Sequence, residues 1–179
     1  MGPFVCWVFI FCLDEATLSI LLPLQSLELA MSSGCFSLLL ARHSTRDGMQ
    51  CSFAAAAASI VVLLVQHFVL REVFPTIGVS LGVTIATGLL TVLALKLPRF
   101  ILLPLSVIYG AVFGASAYEI LFFAMDISLM ASIACYIGLA GFLGANVLTR
   151  FTNPTFEVVC RVGASWIVAA SILMSAFFI

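Results

Sequence analysis

Charge is what this chain has least of. Only 8% of its 179 residues are Asp, Glu, Lys or Arg, whereas a soluble domain carries about 25%, so there is too little polar surface to face water on all sides. Seven Lys and Arg stand against eight Asp and Glu with no basic run, which excludes the electrostatic footprint of a nucleic-acid partner. The six cysteines, Cys6, Cys12, Cys35, Cys51, Cys135 and Cys160, contain no C-x-x-C pair and mostly lie in apolar runs. They read as small buried hydrophobes rather than disulfides or a zinc site. A P-loop, H-E-x-x-H and paired acids at helical spacing within an apolar run are all missing, so neither metalloprotease-type hydrolysis nor phosphoryl transfer finds support. The reading is of a chain that is not an enzyme. Histidine occurs twice, at His43 and His67, separated by a loop and a span, which does not suit bis-histidine haem ligation. No cofactor is expected; bound lipids or pigments enter only if the chain belongs to a complex.

What is present is apolar: 64% of the residues are hydrophobic and the mean hydropathy is +1.28. With ~20 residues needed per crossing, the length accommodates six or seven helices and no separate soluble domain. The expected fold is an all-α integral membrane protein, a bundle of about six transmembrane helices with short loops and a short apolar N-terminal segment. The expected spans are 18–41, 51–70, 76–95, 99–118, 128–148 and 159–179, one domain over 18–179. Residues 1–17 hold an apolar run too short to cross, then Asp14 and Glu15, each costing about 2.5–3.5 kcal/mol at a bilayer centre. They read as an interfacial or signal-like segment, without the positive n-region of a secretory signal.

Small residues recur at helical spacing. Gly78 and Gly82, then Gly110 and Gly114, form small-xxx-small pairs, and Gly138, Gly141 and Gly144 follow. Such spacing is expected to bring helix backbones close, as is the alanine run 54–58. The polar loops are expected at 42–48, 96–99, 119–126 and 150–157. Alternate loops carry Arg42 and Arg46, then Lys96 and Arg99, then Arg150 with Arg161; the opposite loops carry only Arg71. The positive-inside rule then puts the six-cation side in the cytoplasm, matrix or stroma, for a bacterial inner, mitochondrial inner or thylakoid membrane.

Ionisable groups inside a span are candidates for function because they are expensive to keep there. Glu28 is the convincing case, as a cation or proton site or as an acid near a helix end. His67 has no ligand-type residue one turn away except Arg71, which reads as an interfacial histidine rather than a metal ligand. His43, between Arg42 and Arg46, reads as solvated. Tyr109 and Tyr118 read either as lining a polar path or as interface anchors, and the sixteen phenylalanines as spread over lipid-facing surfaces.

Three stretches together carry a resemblance. Leu22-Pro23-Leu24-Gln25-Ser26-Leu27-Glu28-Leu29, then Ala30-Met31, resembles H-P-L-x-G-x-D-H-L-L-A-M with a one-residue slip. The stretch 79–98, ending in LALKLP, is similar to a third span with its turn, and Ile108-Tyr109-Gly110-Ala111-Val112-Phe113-Gly114-Ala115 resembles F-H-G-H-A-H-G-A. The stretch 138–146 and Arg161-Val162-Gly163-Ala164 are similar to the closing spans of the same family, the HupE/UreJ nickel or cobalt permeases that serve hydrogenase and urease maturation. The resemblance implies a permease scaffold. Yet Leu22, Leu29, Tyr109, Ala111 and Phe113 stand where the family has histidines, and Glu28 where it has aspartate. Nickel and cobalt want imidazole, and these side chains supply none. The expectation is therefore an accessory subunit of a larger membrane complex, bound to the lipid bilayer and other membrane subunits. The alternative is a permease for a harder cation, a proton or a small solute through Glu28 and Tyr109.

Overall fold

The structure, a computed structural model, describes residues 27–70, 77–93, 95–121, 127–147, 150 and 154–177. Residues 1–17, the first half of the expected span 18–41 with Leu22, and Arg71 lie outside the described residues. Among the described residues six helices follow one another: α1 (Leu27–Leu40), α2 (Thr45–Val65) running into a π-helical turn (Gln66–Leu70), α3 (Ile77–Val92), α4 (Arg99–Leu121), α5 (Ile127–Phe142) running into a second π-helical turn (Leu143–Val147), and α6 (Pro154–Phe177).

Among the described residues, four stretches are long and apolar enough to cross a membrane: Thr45–Val69, Arg99–Ile120, Ile127–Asn146 and Thr155–Ala176. The shortest has 20 residues, which at 1.5 Å each reach about 30 Å, one hydrocarbon thickness. The described parts of α1 and α3, with 14 and 16 residues, reach only about 21 and 24 Å.

Local signals set the boundaries, and two differ from expectation. The stretch 42–48 is half helix, because Ser44 caps α2: its Oγ accepts from the Asp47 amide at 3.1 Å and donates to the Asp47 carboxylate at 2.6 Å. Asp47 in the first turn also suits the helix dipole. Glu119, expected in a loop, lies in the last turn of α4. At the other end of α4 the Pro98 carbonyl accepts from the Ile101 and Leu102 amides, and Pro154 opens α6, where its missing N–H costs nothing.

α1 runs through the centre. Nine of its fourteen residues are buried, as expected of a helix apolar on every side. Cys35 lies under Gly88 of α3, Phe36 stacks on Tyr109 of α4, Ser33 meets Tyr136 of α5, and Gly34 faces Ile167 of α6. On the other flank α2 packs on α4 and α5 through buried Ser52, Ala55 and Ser59, with Gly48 one turn earlier against Ala145 of the second π-helical turn. Their four-residue rhythm is a ridge of small side chains, and glycines receive it. A Cβ placed on Gly110 would overlap the Ala55 backbone, and one on Gly114 would come within 2.9 Å of the Ser59 carbonyl. On Gly141 it would lie 2.6 Å from Ser52 Oγ, which itself donates to the Gly138 carbonyl at 2.8 Å.

At Gly78 and Gly82 an added Cβ meets nothing within 4 Å among the described residues, so neither packs against a described helix of this chain. α3 turns its hydroxyls inward instead: Ser80, Thr84, Thr87 and Thr91 are buried. Each threonine satisfies its hydroxyl on a carbonyl one turn back, at 2.8–2.9 Å.

Candidate functional site

Three regions concentrate the side chains singled out above: the middle of the bundle and its two ends. In the middle, Tyr109 is mid-helix and 1% exposed, which overturns its reading as an interface anchor. Its ring lies on Phe36 with centroids 4.2 Å apart and planes 6° from parallel, and its hydroxyl accepts from Ser32 Oγ at 3.2 Å. Phe113, one turn along α4, follows at 5.9 Å from Tyr109, and Tyr136 of α5 at 6.2 Å from Phe113. Ser33 Oγ gives its proton to the Ala30 carbonyl, so at 2.7 Å it accepts from the Tyr136 hydroxyl. Four rings thus form one buried column with both phenols hydrogen-bonded, while Phe53, Phe68, Phe100 and Phe142 lie exposed on outer faces, as expected of the phenylalanines. Leu29 is buried in the same cluster, and Ala111 is half-buried.

Of the positions matched to the family's histidines, Leu29 and Phe113 are buried carbon, Ala111 is half-buried and Tyr109 is a hydrogen-bonded phenol, while Leu22 lies outside the described residues. Ser32, Ser33, Phe36 and Tyr136 escaped the sequence reading. Ser32 and Phe36 are one turn and two turns beyond Glu28, and that spacing was the available signal.

Glu28, in the first turn of α1, is 6% exposed, and its Oε1 has no hydrogen-bond partner. Glu119, late in α4, is near enough for its charge to be felt there. The same end holds the π turn after α2, where Gln66 is buried with an unpartnered Oε1. The half-buried His67 sets its ring edge-on to Tyr118 at 6.4 Å. Tyr118 is buried and is likewise no interface anchor. Among the described residues, no group of three His, Cys, Asp or Glu could hold a metal ion.

At the opposite end α1, α3 and α5 finish and α2, α4 and α6 begin, so the expected grouping of cations is visible as geometry. Arg42 donates to the Thr91 carbonyl at 3.2 Å and pairs with Glu157 at 2.9 Å; Arg161 reaches the same carboxylate at 2.7 Å. Arg99 Nε stands 3.9 Å from Asp47. Lys96 and Arg46 are exposed nearby, and Arg150 precedes α6. His43 is not simply solvated, since the Leu97 amide donates to its Nε2 at 3.2 Å. The ring proton therefore sits on Nδ1 and goes to the Leu39 carbonyl at 3.0 Å. Cys35, Cys51 and Cys160 are buried free thiols, while Cys135 is exposed.

No family model, curated protein or solved structure matches this chain.

Proposed function

We propose that this chain is a non-catalytic integral membrane protein, a structural or accessory subunit of a larger membrane complex of respiratory or photosynthetic type, built on a HupE/UreJ-like scaffold. One observation carries the reading: the column of Phe36, Tyr109, Phe113 and Tyr136 is packed shut in the middle of the bundle, and two of its rings, Tyr109 and Phe113, stand at positions matched to histidines of the resembled family. A packed aromatic core of this kind stabilises a body rather than opening a path. The outer faces are in keeping. Phe53, Val61 and Leu64 on α2, with Val159, Trp166 and Leu173 on α6, are exposed, a surface suited to acyl chains or to neighbouring subunits. On this reading the end with Arg42, Arg46, Lys96, Arg99 and Arg150 faces the cytoplasm, matrix or stroma.

The test is extraction from the native membrane in mild detergent, native-gel separation, and mass identification of what migrates with the chain. Co-migration with a large defined complex is expected; migration alone or as a small homo-oligomer overturns the subunit reading.

One observation favours a second reading, a permease for a metal cation, proton or small solute through Glu28 and Tyr109. A buried carboxyl with an unpartnered oxygen is costly unless something fills it. Flux in liposomes that disappears in Glu28→Gln supports this reading, and an unchanged rate removes Glu28 from it.

A further inference from the structure

The outer face of α4 is hollowed near its start. Arg99, Phe100, Leu103 and Pro104 line an open cavity of about 440 Å³. Pro104 lies inside the helix, has no N–H to give the Phe100 carbonyl, and crowds that turn with its ring. Phe100 and Pro104 are exposed and Leu103 half-buried, so the wall is apolar. The rim is not: the Arg99 side chain is 55% exposed, with only the Nε approach to Asp47. Its two terminal nitrogens donate to no described group. Lys96 is exposed three residues earlier, and the start of α4 adds the positive end of a helix dipole.

We propose that this hollow holds one anionic phospholipid, its phosphate on Arg99 and an acyl chain along Phe100, Leu103 and Pro104. The proposal rests on the reading of the chain as a membrane protein. Charge complementarity selects the occupant: the hollow offers a cation at one edge and hydrocarbon along the rest, the same polarity gradient as a lipid. A soluble phosphorylated ligand would find no second polar side chain among the lining residues, and a neutral helix would offer no acceptor to the terminal nitrogens of Arg99, whose Nε alone approaches Asp47. Arg99 also belongs to the six-cation end, the end that meets the anionic leaflet under the orientation proposed above.

Resistance to alkaline carbonate extraction comes first, because a chain that washes off overturns the membrane reading itself. The protein that stays in is then placed in nanodiscs of equimolar phosphatidylglycerol and phosphatidylcholine, and its retained lipid is counted by native mass spectrometry. The wild type is expected to keep phosphatidylglycerol preferentially. Arg99→Gln should cut that preference about fivefold, the factor carried by ~1 kcal/mol of attraction per basic side chain at an anionic surface. Leu103→Trp fills the hollow while keeping the charge and should lower retention of both lipids. Pro104→Ala restores the missing helical donor and should do the same where the tryptophan variant does not fold. Arg150→Gln should change nothing. No preference in the wild type, or an equal loss in Arg150→Gln, overturns the site in favour of diffuse surface charge. A polypeptide covering Phe100 and Leu103 in the purified protein does so in favour of a subunit contact.

Discussion

The Tyr109 ring lies flat on Phe36, and the two come from different helices, so this stack joins α4 to the central α1. Aromatic pairs contribute about 0.5–1.5 kcal/mol beyond the area they bury. Tyr109→Phe keeps the stack but deprives Ser32 Oγ of its acceptor, and should cost about 1 kcal/mol. Tyr109→Ala leaves a void and should cost about 3–5 kcal/mol. Unfolding in detergent followed by circular dichroism separates the two. Equal losses would mean that the hydroxyl, and not the ring, holds this contact.

Gly110 and Gly82 should respond oppositely to one methyl group. At Gly110 the added Cβ meets the Ala55 backbone, which cannot rotate away, so Gly110→Ala should push α2 and α4 apart at a cost of about 1–3 kcal/mol. At Gly82 it meets nothing, and alanine should gain about 0.5–1 kcal/mol from helix propensity. If Gly82→Ala proves as damaging as Gly110→Ala, the face assigned to the exterior of α3 is wrong.

His43 ties the α1–α2 turn to the segment leading into α4, through one acceptor and one donor on a single ring. His43→Ala removes the acceptor for the Leu97 amide. Hydrogen exchange at Leu97 should accelerate, while exchange in the middle of α4 stays unchanged. Unaltered exchange at Leu97 would show that the ring is dispensable there.

Arg42 and Arg161 share Glu157, yet they should not be equivalent. The Arg42 side chain is 12% exposed and also serves the Thr91 carbonyl, whereas Arg161 is half-exposed and bonds only within its own helix. Arg42→Gln should lower the melting temperature more than Arg161→Gln. Added salt should erase most of the Arg161 effect and less of the Arg42 effect. Equal losses for the two variants would put the whole contribution on Glu157 alone.

The helices were legible because hydropathy over some twenty residues is a strong signal, and proline and polar residues punctuate it at Pro98 and Pro154. Facing was much less so. α3 carries two small-residue rows at helical spacing, Gly78 and Gly82 on one side and Ser80, Thr84 and Thr87 on another. In a chain apolar all round, periodicity cannot choose between them. The burial of serine and threonine ran against ordinary polarity rules, yet it follows once their hydroxyls close on carbonyls of their own helix. Tyr109 and Tyr118 misled for a related reason: a phenol prefers an interface only when no partner is available inside, and Ser32 supplies one for Tyr109. The Ser44 cap could have been found, since a serine three residues before an acid opening an apolar run is a helix start.

The enclosure of α1 bears on how the chain is made. It is the first described helix to leave the ribosome, and its walls, α3 to α6, are all synthesised after it. Ser33 waits for Tyr136, and Gly34 for Ile167. A nascent chain halted before α5 would hold its central helix with two of its four walls still untranslated. The contacts that enclose α1 are therefore complete only once α6 has been made.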